Sequence, residues 1–527
     1  MAVATSAEHE SASLWRPLRS STFRNLLIAD VASDVGTFMQ SVGAAWLMVS
    51  LNGGPMYVAL TQTAAALPFF LLALPAGAIG DIVDRRRVIL FTETWMVVIS
   101  LVLALMTIAG LMSPPLLLLL TFALSAGDAF ETPTWRAVLP ELVKKEDLSA
   151  ASALNGIEFN LARAVGPALG GLVISVAGIG VAFLLNTVSF LGVILVVARW
   201  KRPVLKRTTP PETVTGATVA AIRYVRYSPA VRVVMFRAGT AMFFASGLLA
   251  LLPSVAHRVN DSPVGYGILL GCFGGGAVVG ALAMQRARAR WQTDVIVSAG
   301  IVIFGLTTIA AGVLRDLFPL GAVMLLGGAS WISFVSLLNV QVLNQAPAWV
   351  RARVLAISML VFQGGVAAGS ATWGAVAARV GLNRALLWAG IGTILSTAFG
   401  LFWRLPDVSV DLTPWNHWRL PTIVDADPDA GGRVLVTVEY QVDPEQISEF
   451  LTAMHQYGRL RRRDGASRWG IFRDLEIVDR YLETFIVDSW AEHLRQHDRL
   501  TRADSQLEEQ LRSCTVSEPI VRHLLYV

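Results

Sequence analysis

Charge is scarce in this chain. Charged residues make up 15% of its 527 positions against 54% hydrophobic ones, and the mean hydropathy is +0.56. A soluble protein of this length needs far more polar surface, so a purely soluble fold is excluded. Lysine is rarer still, with only Lys144, Lys145, Lys201 and Lys206. No glycine-rich loop ends in Gly-Lys-Ser/Thr, which excludes a phosphate-cradling ATP site in this chain. Any uphill transport must then draw on an ion gradient or on a separate ATPase. The two cysteines, Cys272 and Cys514, are too few for a disulfide framework and read as unpaired. The opening segment, "MAVATSAEHESASLWRPLRSSTFR", lacks an apolar core closed by a small-residue cleavage site, so it does not read as a signal peptide.

What the chain has is long apolar runs. A helix crosses the hydrocarbon with about 20 apolar residues. Candidate spans fall at 23–49, 56–80, 86–110, 114–136, 148–176 and 179–198, and again at 231–256, 264–285, 294–313, 317–341, 353–378 and 384–403. The expected fold is an all-α membrane protein of twelve transmembrane helices in two six-helix halves, 23–198 and 231–404. A segment 1–22 precedes them, and a basic, proline-broken loop at 199–230 joins them, with "ETVTGATVAAIRYV" as a surface helix. Two halves around a long central loop is the layout of a transporter built from repeats.

The sequence pI of about 9.4 raises the question of nucleic acid, but the basic residues sit in alternate loops. Arg85–Arg87, Arg136 with Lys144 and Lys145, the 199–207 cluster, Arg286–Arg290, and Arg351 with Arg353 mark one side of a bilayer. The positive-inside rule then places both termini in the cytoplasm of a multi-pass protein of the bacterial cytoplasmic membrane. The expected partners are a lipid bilayer, a small-molecule substrate and protons, with no nucleic acid.

After Arg404 the character changes. Residues 405–432 read as a Pro- and Asp-rich linker that lets 433–527 move as a separate unit. Beyond it, "RVLVTVEY" alternates like a strand, and "DPEQISEFLTAMHQYGRL" puts Ile447, Phe450, Met454 and Tyr457 on one helical face. The order continues as β-α-β-β-α-β, the split βαβ arrangement of an α+β ferredoxin-like domain. Trp469, Ile471, Phe485 and Val487 are expected to populate both sheet faces, and the helix-free face suggests self-association through 433–527. His493 and His497 share a helical face with Trp490, yet no carboxylate or cysteine completes a ligand set, so no metal and no cofactor are expected. His455, His493, His497 and Asp498 form no recognisable catalytic set.

Ionisable residues within spans are costly, about 2.5–3.5 kcal/mol each at a helix centre on insertion scales. The first half nevertheless holds Asp30, Asp34, Glu93, Asp128, Glu131 and Glu158. Counting rise along the helices puts Asp30 and Glu131 near the inner boundary, Asp34 and Glu93 deeper, and Glu158 closest to the midplane. Asp34, Glu93 and Glu158, with Arg163, are candidates for handling protons or a cationic substrate. Glu158 beside Arg163 could still form a static pair. The boundary acids Asp30 and Glu131, together with Asp128, read as gate partners, for example of Arg85, Arg86 or Arg136.

The stretch "GDIVDRRRVIL" concentrates charge between two apolar spans. Gly77, Gly80, Asp81, Arg85, Arg86 and Arg87 resemble the cytoplasmic motif between the second and third helices of the major facilitator superfamily. Ile82 and Asp84 depart from that pattern, which has a basic residue and a glycine there. The glycines permit close helix approach, Asp81 can face a neighbouring helix's positive N-terminus, and the arginines can anchor in anionic headgroups. In "NGIEFNLARAVGPALGGLVI", Ala162, Arg163, Gly166, Pro167, Gly170 and Gly171 are similar to the Gly-Pro…Gly-Gly motif of superfamily antiporters that export. "FRNLLIADVASDVGTFMQSVGAAWLM", "DAFETPTWRAVLPELV" and "NQAPAWVRARVLAISMLVFQGG" resemble helices of the enterobactin-exporter-like branch, also called transmembrane secretion effectors. Residues 433–527 resemble the antibiotic-biosynthesis monooxygenase fold found in some members. The resemblance implies efflux of siderophores, drugs or other secondary metabolites. The alternative is a membrane-tethered monooxygenase-like enzyme or ligand sensor acting through 433–527. Twelve spans with buried acids exceed what an anchor needs, so a non-enzymatic exporter is the expectation.

Overall fold

Residues 14–200, 214–405, 411–413, 415 and 432–526 are described in the computed structural model. The apolar runs form helices α1 (Ser21–Ser50), α2 (Gly54–Ile82), α3 (Arg85–Ile108), α4 (Pro114–Leu142), α5 (Leu148–Ala177) and α6 (Ile179–Arg199). After α7 (Val214–Tyr227) come α8 (Pro229–Val259), α9 (Pro263–Arg288), α10 (Thr293–Val313), α11 (Leu317–Asn344), α12 (Arg351–Val380), α13 (Leu382–Ser396) and α14 (Phe399–Phe402). Local chemistry sets the ends. The Ser20 hydroxyl accepts from the Phe23 amide at the start of α1, and the Asp84 carboxylate accepts from the Arg87 amide at the start of α3. Gly178 (φ 89°) and Gly381 (φ 90°) turn the chain between α5 and α6 and between α12 and α13, at matching points of the two halves.

Among the described residues, eleven helices are long and apolar enough to cross a membrane. The expected first span is the one not among them. α1 runs for 30 residues but carries Arg24, Asp30 and Asp34. The last such stretch, Leu382–Phe402, is interrupted between α13 and α14.

The chain divides into two compact units. One comprises Met1–Thr208, Arg237–Leu338 and Met359–Arg404; the other comprises Thr209–Phe236, Asn339–Ser358 and Leu405–Val527. The second unit is therefore larger than the expected tail. It takes in α7, the first turns of α8 and the junction of α11 with α12.

In the helical unit, α5 packs between α1 and α9, and glycines set the approach. A Cβ on Gly166 would lie 2.6 Å from the Phe38 Cβ, and one on Gly170 would lie 3.0 Å from the Met39 Cα. On the other side of α5, a Cβ on Gly171 would meet the Pro263 carbonyl at 2.8 Å and the Gly267 Cα at 3.1 Å. Small residues at such contacts let helix backbones close together where no hydrophobic force drives association. Pro167 sits buried within α5.

In the second unit, β1 (Val434–Gln441), α15 (Ile447–Asp464), β2 (Arg468–Arg473), β3 (Arg480–Val487), α16 (Trp490–Arg499), α17 (Arg502–Ser513) and β4 (Ile520–Leu525) form an antiparallel sheet of order β2-β3-β1-β4 with helical connections. The strict alternation of Val434, Val436, Val438 and Tyr440 drives one face of β1 into the core with Phe450, Met454, Tyr457 and Leu511. Trp469 pairs with Phe485, and both pack with Ile471 and Val487 against the same core. The expectation that these four divide between the two faces is thus corrected, because all have the parity of the helix-covered side. The other face carries Leu435, Ile486, Leu482, Phe472 and Leu524 by register.

Two further expectations change. The helix in the central loop is not a free surface helix. Ala220, Ala221 and Tyr224 are buried, and α7 packs against α15. Tyr224 donates to the Gln345 carbonyl at 2.7 Å and meets Trp349 edge to face at 5.7 Å. Burial pushes its hydroxyl up to about 12, so it remains a donor. Arg223 pairs with Glu492 at 3.0 Å, and the Arg499 guanidinium lies 4.6 Å over Trp349. The described part of the 405–432 linker is likewise held: the Arg502 and Ala503 amides donate to the Thr413 and Asp411 carbonyls, both at 3.0 Å.

Candidate functional site

The acids of the first half meet in one place. α1 supplies Asp30 and Asp34, α3 Glu93, α4 Asp128 and Glu131, and α5 Glu158. Glu93, Glu131 and Glu158 are at most 9% exposed. The carboxyls of Asp34 and Glu158 are in hydrogen-bond contact, as are those of Glu93 and Glu131. The Thr92 hydroxyl donates to Glu131 at 2.8 Å, the Thr132 hydroxyl to Asp128 at 3.0 Å, and the Trp135 indole to Asp30. Asp30 lies within electrostatic reach of Asp34, Glu131 and Glu158. One oxygen on each of Glu93 and Glu158 is buried with no hydrogen-bond partner.

Arg163 acts electrostatically on Asp34. It forms no ion pair with Glu158; its guanidinium rests 4.8 Å from the Phe159 ring centroid and 6.0 Å from that of Phe38. The static pair considered from sequence is absent among the described residues.

The expected gate contacts also change. Arg85 binds Glu141 at 2.7 Å and the Ala137 carbonyl at 2.9 Å, at the last turns of α4. Arg86 donates to the Val197 and Ala198 carbonyls at 3.0 and 2.7 Å, at the end of α6. Both arginines thus satisfy the negative ends of neighbouring helices rather than reaching headgroups. Asp128 and Glu131 are not their partners. Glu131 lies ten residues before Glu141, about 15 Å further along α4 at 1.5 Å per residue, beyond Arg85's reach. Arg136 is exposed. Gly77, Gly80 and Asp81 fall on the final turns of α2, and their surroundings lie outside the described residues.

A second polar group was missed in sequence. Gln40 on α1 accepts from Ser100 on α3 at 2.9 Å and from Asn186 on α6 at 2.5 Å, and Thr187 donates to Ser100 at 3.0 Å. The signal available was an amide in each of two apolar spans, both requiring buried partners. In the second half, Arg237 is 2% exposed and pairs with Asp294 while donating to Ser298 and the Trp403 carbonyl.

A family profile, transmembrane secretion effector, matches residues 12–527. The chain belongs to this family. Curated relatives of this secretion effector include the multidrug efflux pump Tap of Mycolicibacterium fortuitum, 24% identical over 398 residues, which are 72% of this chain and 94% of that protein. The staphyloferrin A transporter of Staphylococcus aureus is 25% identical over 158 residues, 30% of this chain and 40% of that protein. The latter match therefore spans less than half of the relative's length. Among solved structures, the inward-facing, unoccupied bacterial homolog of the human lysosomal transporter Spinster aligns with a TM-score of 0.57 at 13% identity, covering 73% of this chain and 95% of that one. The nucleoside transporter NupG aligns with a TM-score of 0.57 at 14% identity, covering 73% and 99%. These likenesses show that the chain shares the fold of those transporters over the 73% of its length that they cover.

Among the described residues, no group of three or more His, Cys, Asp or Glu side chains is arranged to hold a metal ion. His493, His497 and His523 cluster in the second unit, with ring centroids 4.7 and 4.8 Å apart, and a nitrogen of His493 lies 3.2 Å from one of His497. His523 was not singled out in sequence, because strand β4 lies far from α16 along the chain.

Proposed function

We propose that the protein is a secondary active exporter of a small organic molecule, a siderophore, drug or other secondary metabolite, driven by proton antiport. The observation that carries this reading is the carboxyl–carboxyl contact of Asp34 with Glu158 and of Glu93 with Glu131. One carboxyl donates to another only when a proton lies between them, so each pair can hold a proton in one state and release it in the next. The pairs join helices α1 to α5 and α3 to α4. Gain or loss of a proton therefore changes the force between helices, which is what alternating access requires.

In this reading α1 is the twelfth span. Its acids face α4 and α5 rather than lipid, as intramembrane charges do. Both termini lie in the cytoplasm, and the end of α2 with Gly77, Gly80 and Asp81 acts as the cytoplasmic gate, framed by the Arg85 and Arg86 caps. Gly166, Pro167, Gly170 and Gly171 form the surface along which α5 shifts against α1 and α9.

The ferredoxin-like order of 433–527 supports a regulatory or self-associating part better than a tethered enzyme. Between its sheet and helices, Arg461 donates to Glu483 and rests on the Tyr457 and Phe485 rings, so side chains occupy that space. Self-association would use the face bearing Leu435, Leu482 and Ile486.

The test is reconstitution of the full chain in liposomes with an imposed pH gradient and a panel of fluorescent drugs and ferric-chelator ligands. Cargo movement that stops when an uncoupler collapses the gradient supports the proposal. Movement that persists unchanged overturns proton coupling.

A further inference from the structure

The second unit contains a groove that the export reading leaves unused. It has a volume of about 530 Å³, within the range of about 300–1,000 Å³ typical of small-molecule sites. Tyr227 and Pro229 form one wall at the joint of α7 and α8. The other wall is the exposed side of α15, with Thr452, His455, Gln456, Arg459 and Leu460, closed by Leu507 of α17.

Its lining divides by chemistry. Tyr227, Pro229, Leu460 and Leu507 offer an apolar plate and floor. Arg459 is exposed and makes no ion pair among the described residues, so its guanidinium fork is available for a planar anion. Gln456 adds amide donors. The His455 Nδ1 donates to the Leu451 carbonyl at 2.6 Å, which leaves its Nε2 turned away from its own helix. No carboxylate lines the groove. A second cation, Arg226, has its guanidinium carbon 5.8 Å from the Tyr227 ring.

We propose that this groove is a binding site for a small aryl carboxylate, with the ring on Tyr227 and Leu507 and the carboxylate on Arg459. The occupant touches α15 and the α7–α8 joint together. Because it binds only where both walls are present, it strengthens the hold of the sheet domain on α7, by the ordinary linkage between ligand binding and the state that binds it. The proposal stands on this unit alone. Its test reads binding rather than transport, so it and the export reading can fail separately.

The experiment uses the full chain in lipid nanodiscs, titrated with salicylate by calorimetry, with benzamide as the uncharged analogue. Salicylate is expected to bind, benzamide to bind at least about tenfold more weakly, and Arg459→Gln to weaken salicylate by a similar factor. Thr452→Trp, which fills the groove from an exposed position without removing charge, is expected to abolish the heat. Salicylate bound equally well by Arg459→Gln and Thr452→Trp overturns the site, since binding then lies elsewhere. Equal binding of benzamide, or no salicylate binding at any soluble concentration, overturns the ligand class.

Discussion

Buried acids occur in both units, and the cluster on α1, α3, α4 and α5 is treated in the opposite way from those of the second unit. In the helical unit, six carboxyls converge, and Arg163, the cation that acts on Asp34, rests on two phenyl rings. In the second unit each deeply buried acid has its arginine. Glu483 is fully buried and accepts from Arg461 at 3.2 Å, Trp469 at 2.9 Å and Tyr440 at 3.0 Å. Arg463 bridges Asp464 at 2.7 Å and Asp504 at 2.8 Å. A matched network is satisfied in one protonation state and holds one geometry. Carboxyls without a matching cation rest on neutral donors and on protons, and protons can leave. The first arrangement fixes a fold; the second suits a cycle.

The comparison breaks first, and most visibly, at Glu158. In the export reading, Glu158→Gln removes an exchangeable proton while keeping size and hydrogen bonding to Asp34. Proton-driven flux is expected to fall by roughly two orders of magnitude, the scale on which proton-transfer groups act. Insertion and thermal stability should be unchanged. The measurement is flux into liposomes under an imposed pH gradient, beside flux down the cargo's own gradient. Retention of full pH-driven flux would remove Glu158 from the coupling path.

The matched network sharpens the contrast from the other side. Arg461→Met leaves Glu483 without its cation in a fully buried position, and the guanidinium's seat over Tyr457 (4.6 Å) and Phe485 (4.5 Å) is lost as well. Breaking a buried pair from one side costs about 3–5 kcal/mol. The sheet domain is expected to become protease-sensitive while α1–α6 stay intact, read by limited proteolysis of the full chain. A domain as resistant as the wild type would mean that Arg461 contributes packing alone.

How much of this was legible beforehand depends on the range of the interaction. Span limits agreed with the helices to within a few residues in most cases, because apolar length and glycine turns such as Gly178 are local. The strands followed from alternation for the same reason. Asp34 and Glu158 stood out because a carboxyl in an apolar run is conspicuous, but their contact with each other spans α1 to α5 and could not be read from spacing. Arg85 takes Glu141 rather than Glu131 as its partner, a choice set by distance along α4 that spacing alone did not reveal. The docking of α7 on α15 was invisible, since Tyr224 finds Gln345 and Arg223 finds Glu492 from remote stretches of chain.

The smallest expected effect concerns protons where no cycle is at work. His493 is 2% exposed and its pKa is lowered to about 3, by burial first and then by His497 and His523, with Arg461 adding to the same direction and Gln496 opposing it. An unfolded histidine titrates near 6.5. Between these two values the unfolded chain binds a proton that the folded domain refuses, so stability is fully present above about 6.5 and declines as pH falls. Acidification from pH 6.5 to 5.5 should cost the domain about 1 kcal/mol from this residue, because the unfolded histidine is already half-protonated at pH 6.5. Asp504 does not confuse the reading. Burial would raise its carboxyl, but Arg463 and the Thr501 hydrogen bonds outweigh that and hold it below the usual range, so its contribution is lost only at more acid pH. His493→Leu is expected to flatten the profile between pH 5.5 and 6.5, though His523, also lowered by burial, leaves a residual slope. The measurement is denaturant resistance of the sheet domain in the full chain across that window. A wild-type profile that is level or rises on acidification would show that the buried histidines take up protons in the folded state, as the carboxyls of the helical unit are proposed to do.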